Sequence, residues 1–532
     1  MRAYKWACVM VVVMLLIPCG AVVKAQGGAV AADGEKSIYY PYWIWDGAAG
    51  GYLNQSQADY QKSSSRFSTA RMRETKDFVV FWEPGYGDNP ETAAAGYRVN
   101  LTAILNALES MYDFYCDSLK FVERGHSVTD TYKMVVYLFY NSTFGTVYGA
   151  GADDKCGVML LYPSRLQGAP YGALAHELGH AFQAMAAADS GKGLSGTVAE
   201  MTSQYQLWRY YSNWPTFESY HVDAYLKQTH LAFMHPDNQY HSPFVLEYWA
   251  DLHDPTVVAR VWKNAGSSDD MVTSYKKLFS MTQKAFCDEM FDGARRFVTW
   301  DLKRGSTIAR YANKHSYKLT AIEDGWYRVP ASHAPQTYGY NAIRLNVPSA
   351  GTQVEADFKG LTQATGYHIV NSNYAGWRYG FVAYCRGGLR VYSDIFSSAT
   401  GKATFTVPQG TYYLWFVVMG APTVHQKLSS TPGQWPYEVW FGNTNMYGVK
   451  NNPVAVTPVE SDDDITLTSA HGTLSITGLT PNASVSVFGI NGSLLFTQTV
   501  ASTSFSTTLP AGLYIIQTET NHRTLCRKVI VR

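Results

Sequence analysis

The segment His176-Glu177-Leu178-Gly179-His180 constrains the fold and chemistry of this chain more than any other stretch. Residues four apart lie on one face of an α-helix, so both imidazoles can reach a single metal ion. Glu177 follows the first histidine, where its carboxylate can contact a metal-bound water without binding the metal. The spacing therefore predicts a helix that carries a metal site.

The residues around this segment favour a helix. Residues 171–189 are rich in Ala and Leu and contain no proline. Within them, His176, Gly179, His180 and Gln183 form a polar face among apolar residues. A polar stripe on an apolar helix needs partners, and one metal ion satisfies both imidazoles. The alternative is a helix whose histidines are ordinary core or surface groups.

The third ligand distinguishes two classes of zinc site on such a helix. One class requires Gly and His three and six residues after the second histidine, where this chain has Gln183 and Ala186. The other class takes a glutamate from a second helix, and Glu200 follows after a Gly- and Ser-rich turn at residues 189–196. We therefore expect His176, His180 and Glu200 to bind Zn²⁺. A solvated helix carboxylate is the alternative for Glu200.

This layout of helix, turn and glutamate-bearing helix resembles the thermolysin-like and enhancin-like gluzincin peptidases. The resemblance covers only these two helices. Ala199 stands where Asn is usual, and Gln204 stands where an acidic residue is usual. The resemblance implies peptide-bond hydrolysis by a zinc-bound water, with Glu177 as the general base. Gln183 is expected to orient one of the ligands.

The same mechanism needs a hydrogen-bond donor to the developing oxyanion from the far wall of the cleft. The polar pair Tyr240-His241 precedes a predicted helix at residues 244–253. We expect His241 to be this donor. The competing candidates are His230, His235, Tyr205 and Tyr248.

The chain before the metal helix has the element order of a zincin N-terminal subdomain. Residues 101–122 have apolar side chains at helical spacing, and residues 132–140 and 157–162 are rich in aliphatic and aromatic residues typical of strands. In that subdomain an edge strand binds extended peptide by β-addition.

The N-terminus has the features of a secretory signal peptide. Basic residues precede an apolar run at residues 6–17 that is too short to span a membrane, and a small-residue cleavage site follows at 23–25. We assign the signal peptide to residues 1–25 and an N-terminal segment to 26–65. No other segment could span a bilayer, and a net charge of +1 does not favour nucleic-acid binding.

Five cysteines remain after the signal peptide, so at most two disulfides could form, and the sequence leaves their pairing open. They are Cys116, Cys156, Cys287, Cys385 and Cys526.

The composition becomes β-patterned after the metal-binding region. Residues 336–445 alternate apolar runs with turn residues and predict a β-sandwich. Its many aromatic residues are expected to fill a core rather than bind carbohydrate, which stays the alternative. A linker rich in proline, valine and acidic residues follows at 449–464.

Residues 465–532 read as about seven short strands of an immunoglobulin-like module, with turns at Pro481-Asn482 and Asn491-Gly492. The pieces VFGINGSLL (487–495), LPAGLYIIQTET (509–520) and the terminal KVIVR together resemble the C-terminal sorting domain of the Bacteroidetes type IX secretion system. The resemblance implies cell-surface anchoring or release after passage through the outer membrane. A generic terminal sandwich module is the alternative.

A longer stretch, residues 66–441, resembles a family of secreted bacterial and fungal proteins of undefined function. The pieces that carry this resemblance are DFVVFW (77–82), HELGHAFQ (176–183), YHS (240–242), MGAP (419–422) and WPY (435–437). It implies that the β-sandwich accompanies the metal-binding part as one unit.

Together these features predict an α+β protein: a zincin-like domain at 66–330, a β-sandwich at 336–445 and an immunoglobulin-like sorting domain at 465–532. The expected function is a secreted or cell-surface zinc metallopeptidase that acts on protein or peptide substrates and is exported by the type IX machinery. The alternative is a surface binding protein on the same scaffold that recognises glycan or host protein. A third interpretation keeps the zinc but cleaves a bacterial substrate such as a peptide cross-link.

Overall fold

The computed structural model describes residues 35–368, 372–429, 431–452, 465–470, 472–520 and 523–531. The chain divides into two compact units, one ending at Asn451 and the other beginning at Asn452. This division falls inside the stretch predicted as a linker. Most of that linker, and the whole signal peptide predicted at 1–25, lie outside the described residues. The boundary predicted between residues 330 and 336 does not divide the first unit.

The first unit begins with an antiparallel hairpin of β1 (Trp43–Asp46) and β2 (Gly51–Asn54). A one-turn helix, α1 (Gln57–Tyr60), follows directly. It begins at a capping box in which Ser56 and Asp59 satisfy each other's backbone N–H groups.

A five-stranded mixed sheet forms the framework of the first unit. Its three central strands are parallel and buried at every residue, while both outer strands are antiparallel to their neighbours. In chain order its strands, with the helix α2 between them, are β3 (Met72–Glu74), β4 (Phe78–Trp82), α2 (Leu101–Asp113), β5 (Met134–Leu138), β6 (Tyr148–Ala152) and β7 (Cys156–Leu161). The spatial order is β3-β4-β5-β7-β6, so β6 is an edge strand.

In this region the sequence predicted one helix too long and missed one strand. The helix predicted at 101–122 ends at Asp113 and continues only as a short π-helical turn, Phe114–Ser118. The strands predicted at 132–140 and 157–162 correspond to β5 and β7. The edge strand β6 was not predicted, because its sequence YGAGA lacks the β-branched and aromatic runs that favour strands.

Eight helices of the described chain follow the sheet, and the first carries the metal-site segment. They are α3 (Gly172–Ser190), α4 (Thr197–Tyr210), α5 (Trp214–Phe217), α6 (Tyr220–Gln228), α7 (Phe244–Leu252), α8 (Val257–Asn264), α9 (Met271–Leu278) and α10 (Gln283–Phe297). The helix predicted at 171–189 begins and ends one residue before α3, and the helix predicted at 244–253 ends one residue after α7. Gly191 adopts the left-handed conformation (φ 64°) that commonly ends a helix, which separates α3 from α4.

Helix α3 lies against the edge of the sheet, where it packs on β6, β7 and α4. Its contact with β6 is too close for a side chain at Gly149, because a Cβ there would lie 1.8 Å from the carbonyl oxygen of Glu177. The absence of a side chain at this position lets the strand approach the metal helix.

The β-sandwich completes the first unit. Its two sheets have the spatial orders β10-β15-β12-β13 and β14-β11-β16-β9-β8. The strands are β8 (Thr320–Ala321), β9 (Tyr327–Arg328), β10 (Tyr340–Leu345), β11 (Gln353–Gly360), β12 (Trp377–Cys385), β13 (Arg390–Tyr392), β14 (Thr400–Thr406), β15 (Thr411–Gly420) and β16 (Tyr437–Gly442). Helix α10 packs on β12 and β15. Trp377 and Trp435 are buried in the sandwich core, as expected for aromatic residues that stabilise the fold.

The second unit consists of two antiparallel sheets with the orders β17-β18-β21 and β20-β19-β22-β23. Their strands are β17 (Thr466–Ala470), β18 (Thr473–Thr477), β19 (Ala483–Gly489), β20 (Leu494–Val500), β21 (Ser504–Thr508), β22 (Gly512–Thr520) and β23 (Arg523–Val531). Asn482 and Gly492 lie at the two predicted turns and have positive φ angles of 70° and 79°.

The combination of helices and several β-sheets confirms the α+β class at this level. None of the helices within the described ranges is long and apolar enough to cross a membrane. The five cysteines expected in the mature chain are all described, and each is a free thiol.

The contact at Gly149 generates a stability prediction. Gly149→Ala should lower the free energy of unfolding by about 2 kcal/mol or more, because the added methyl group meets backbone rather than a movable side chain. Gly145→Ala is the matched control, since a Cβ there has no atom within 4 Å. Urea unfolding of both variants measures the difference, and equal stability would contradict the close packing of β6 on α3.

Candidate metal centre

Three side chains from α3 and α4 converge on one point. His176 Nε2 lies 3.0 Å from Glu200 Oε2, and His180 Nε2 lies 3.1 Å from the same oxygen. The two Nε2 atoms are themselves 3.1 Å apart. The structure thus brings together the three residues expected from the sequence as metal ligands, and their ligand atoms all lie within 4.8 Å of one another.

Two glutamines fix the orientation of the imidazoles. Gln204 Oε1 accepts from His176 Nδ1 at 2.9 Å, and Gln183 Oε1 faces His180 Nδ1 at 3.3 Å. For metal binding, the proton of each imidazole is on Nδ1, which leaves the Nε2 lone pair free to bind an ion. The amide of Gln183 is held by Ala199 O at 3.0 Å and Ser203 Oγ at 2.9 Å, which places its oxygen on the histidine side. Gln204 thus replaces the acidic residue usual in gluzincins with a neutral acceptor.

The charges of the site depend on one another. Burial disfavours a positive charge on His176, but the hydrogen bond with Glu200 and the carboxylates of Glu177 and Glu200 raise its pKa to about 9. Burial likewise opposes ionisation of Glu200, yet its bonds to both histidines hold its pKa well below the usual range. Without a metal, a proton on His176 balances the charge of Glu200 at neutral pH. A metal ion would have to displace that proton.

Glu177 lies on the side of α3 that faces the edge strand. Burial raises the pKa of Glu177, and the neighbouring backbone of Gly149 in β6 opposes this rise. Interactions with His176 and His180 also oppose this rise. A carboxylate with a raised pKa beside three candidate metal ligands is suited to accept a proton near neutral pH.

His241 does not touch the three candidate ligands directly but is connected to them through two other side chains. Gln204 Nε2 lies 3.2 Å from His221 Nε2, and His221 Nδ1 lies 2.7 Å from His241 Nδ1. Because Gln204 donates to His221, the proton of His221 is on Nδ1 and is donated to His241. Neutral His241 then carries its own proton on Nε2. Burial lowers the pKa of both histidines, that of His221 to about 2.

The four competing donors have other partners. Tyr205 donates to Pro255 O at 3.0 Å and Tyr248 to Asp292 at 2.9 Å, while His230 packs on His333 and His235 accepts from the backbone of Asp237. The ring of Tyr240, in contrast, lies 5.9 Å from that of His176. Of the predicted pair, Tyr240 adjoins the candidate ligands directly, and His241 is connected to them through His221 and Gln204.

His221 and Glu218 were not predicted as site residues. Glu218 Oε2 accepts from the indole of Trp214 at 2.6 Å and lies 3.9 Å from His221 Nε2. Burial raises the pKa of Glu218. Neither residue forms a spacing motif with the HELGH segment, so only the tertiary contact between Gln204 and His221 reveals their position. A histidine on the buried face of α6 was the one available signal.

The sequence model of a family of unknown function, DUF6055, matches residues 31–448, which is most of the chain. The chain belongs to this family. None of the curated proteins matches it. Membership in DUF6055 supports the expectation that the metal-binding part and the β-sandwich occur as one unit, since the match covers both.

Several solved structures are weakly similar to this DUF6055 chain. PorZ, a surface component of the type IX secretion system of Porphyromonas gingivalis, is 10% identical with a TM-score of 0.13, over 28% of this chain and 30% of that one. The CD2-binding domain of CD58 is 10% identical with a TM-score of 0.11, and the match covers 37% of this chain and 94% of that one. A β-glucuronidase from Ruminococcus gnavus is 11% identical with a TM-score of 0.13, over 41% and 38%. At such scores these likenesses support no statement about fold or function.

The donor set of this DUF6055 site fits a zinc ion. Zinc prefers tetrahedral coordination by imidazole nitrogen and carboxylate oxygen, with ligand atoms separated by about 3.3 Å. The three observed separations of 3.0 to 3.1 Å are close to that spacing. Three ligands on two helices leave a fourth position, which is the arrangement of catalytic rather than structural zinc sites.

We predict about one zinc per chain, with Glu200 as the third ligand. Glu200→Gln should weaken zinc binding by about a hundredfold or more, because a neutral amide replaces the anionic ligand. Glu218→Gln is the control, since Glu218 is the nearby carboxylate outside the cluster and should leave affinity unchanged within about twofold. Chelator competition and elemental analysis of both variants measure this. Full zinc content in Glu200→Gln would exclude Glu200 as a ligand.

Proposed function

We propose that this protein is a zinc-dependent metallopeptidase of the gluzincin type. The observation that carries the proposal is the cluster of His176, His180 and Glu200, with the partly buried carboxylate of Glu177 beside it. Structural zinc sites are closed by four protein ligands and need no adjacent base. Three ligands plus a poised carboxylate are the arrangement that metal-assisted hydrolysis requires.

Each residue has a defined role in the proposed reaction. A zinc ion held by the three ligands would supply Lewis acidity, which acidifies water and polarises the scissile carbonyl. Glu177 accepts the proton of the attacking water and transfers it to the leaving amine. His241 presents Nε2–H as the donor to the developing oxyanion, with its tautomer set through His221 and Gln204. Gln183 and Gln204 hold the ligand imidazoles in place.

The architecture around the site supports the zincin-like interpretation of residues 66–330. The metal helix α3 lies against a mixed sheet whose edge strand β6 is antiparallel to its neighbour. Every residue of β6 is half-exposed, and Gly149 in this strand adjoins Glu177. A sheet edge beside the base offers backbone groups to an extended peptide, so a peptide is the favoured substrate.

The rival function is a surface binding protein on the same scaffold, with zinc structural or absent. A binding module has no need of a carboxylate beside the ligands, so Glu177 favours an enzyme. Most aromatic residues of the sandwich fill its core, which favours a structural role for them over glycan binding. A peptide cross-link in the bacterial envelope is a third candidate, because it would use the same hydrolytic chemistry.

The C-terminal unit supports a proposal for localisation. It is a separate compact unit of seven strands among its described residues, consistent with an independent sorting domain of the type IX secretion system. We propose export to the cell surface or medium after removal of residues 1–25.

Replacement of the proposed base separates an enzyme from a binding protein. Glu177→Gln keeps the size of the side chain but removes its basicity, so peptide hydrolysis should fall by a factor on the order of a hundred or more. Zinc content should stay the same, because Glu177 is outside the ligand cluster. The measurements are zinc stoichiometry and hydrolysis of a peptide library by both proteins.

Glu218→Gln is the matched control for a carboxylate near the site but outside the proposed chemistry. It should retain hydrolysis within about threefold. If the wild-type protein cleaves no peptide, or if Glu177→Gln cleaves equally well, the metallopeptidase proposal fails and the binding protein takes its place.

Removal of the C-terminal unit tests the sorting proposal. Deletion of residues 465–532 should leave the first unit folded, because the two units have separate cores, but should trap it in the periplasm. Cell fractionation and thermal unfolding of the truncated chain measure the two effects. Normal surface display of the truncated chain would contradict the sorting role.

A further inference from the structure

The N-terminal hairpin has two different faces. Its inner side chains are anchored: Ile44 is buried, and Asp46 pairs with Arg66 Nη2 at 2.6 Å and accepts from Tyr162 at 3.2 Å. Its outer side chains are large and aromatic. Trp43 is 56% exposed and Tyr52 is 50% exposed, although apolar side chains of this size are usually buried.

The exposed rings form one connected cluster. Trp45 and Tyr52 are directly opposite in the hairpin register, and their ring centroids lie 5.2 Å apart. Trp43 lies 6.1 Å from Tyr52, and Tyr42, also largely exposed, lies 5.1 Å from Trp43. We call Tyr42, Trp43, Trp45 and Tyr52 the aromatic cluster.

The aromatic cluster adjoins the edge strand that flanks the candidate metal centre. The Trp45 side chain forms a hydrogen bond with Tyr148, the first residue of β6. The hairpin also touches this ring at Gly47, where a Cβ would lie 2.5 Å from Tyr148 Cε2. The next residue of β6, Gly149, contacts Glu177. An extended peptide paired with β6 would therefore reach the aromatic cluster within a few residues of the reacting bond.

The ring geometry favours an apolar side chain over a sugar. Neighbouring rings are inclined at 63° to 89°, so they enclose angular spaces rather than a flat platform. Stacking along a sugar chain needs exposed ring faces in one plane, whereas an aliphatic or aromatic side chain fits between inclined rings. The outer face, completed by Asn54 opposite Trp43, carries no charged side chain.

We propose that the aromatic cluster is a substrate subsite that receives a bulky apolar side chain of an extended peptide bound along β6. The substrates would then be proteins or peptides with Phe, Leu or similar residues near the cleavage site. This inference rests on the proposed peptidase function and specifies its substrate class.

Binding measurements test the subsite independently of catalysis. The protein is the full mature zinc-loaded chain with Glu177→Gln, and the probes are decapeptides in which each position in turn is Phe, Leu, Ser or Glu. We expect Phe or Leu at one position to bind about tenfold more tightly than Ser. Trp43→Ala with Tyr52→Ala should remove this preference and leave the affinity for the Ser peptides unchanged.

The control is a second pair of exposed aromatic side chains far along the chain, Tyr412→Ala with Tyr447→Ala, which are 55% and 54% exposed. This pair should keep the preference, and melting temperatures should confirm that both double variants fold. Trp43→Phe with Tyr52→Phe should keep most of the preference that the alanine hairpin variant loses, because aromatic surface is retained.

The outcomes separate the subsite from the reaction. If wild-type protein cleaves peptides but the hairpin variant keeps the preference, the subsite is wrong while the peptidase function stands. If nothing is cleaved but the hairpin-dependent preference appears, the peptidase function fails and peptide recognition by the cluster stands. Equal binding of Phe and Ser peptides would overturn the subsite. It would also be overturned if the alanine hairpin variant lost only the binding of a sugar chain, with chitohexaose as the probe, or lost only self-association.

Discussion

The close crossing of α3 and α4 at Gly179 determines where the candidate ligands meet. A Cβ on Gly179 would lie 2.8 Å from Ser203 Oγ and 3.2 Å from Ser203 Cα, so a side chain there would push the two helices apart. Gly179 lies between the two ligand histidines in sequence, and Ser203 lies one turn after Glu200. A wider crossing would separate the carboxylate from both imidazoles. The HELGH glycine is therefore as important to the site as the residues that would bind metal.

The crossing also creates an electrostatic requirement. Two carboxylates and two imidazoles occupy one largely buried region, and burying such groups is unfavourable unless their charges are balanced. In the metal-free state a proton on His176 balances Glu200, which is why its pKa rises to about 9. A divalent cation would balance both carboxylates and leave the imidazoles neutral. The same charge arrangement thus explains the perturbed histidine and would favour the binding of a metal ion.

Sequence reasoning located the features that depend on local periodicity. The spacing of His176 and His180, the helix around them and a second helix with Glu200 all follow from short-range patterns. The structure has the first helix within one residue at each end and places Glu200 on α4. The edge strand β6 depends instead on its contact with α3, because Gly149 and Gly151 have low intrinsic preference for strands. His221 could not be identified either, since only tertiary packing places α6 beside Gln204. What the sequence missed is the set of interactions between elements distant in the chain.

The contact between β6 and α3 couples substrate binding to the proposed chemistry. Gly149 brings the strand backbone against Glu177, and the preceding residue, Tyr148, carries the contacts with the aromatic hairpin. A peptide aligned on this strand would have its backbone positioned by the same element that fixes the general base. Its apolar side chain would be received by a hairpin anchored through Asp46 to the same first-unit core. The strand β6 is in contact with both the proposed base Glu177 and the hairpin. A small shift of the substrate would therefore move the scissile bond relative to Glu177. Correct binding of the apolar substrate side chain in the hairpin would favour the reactive alignment.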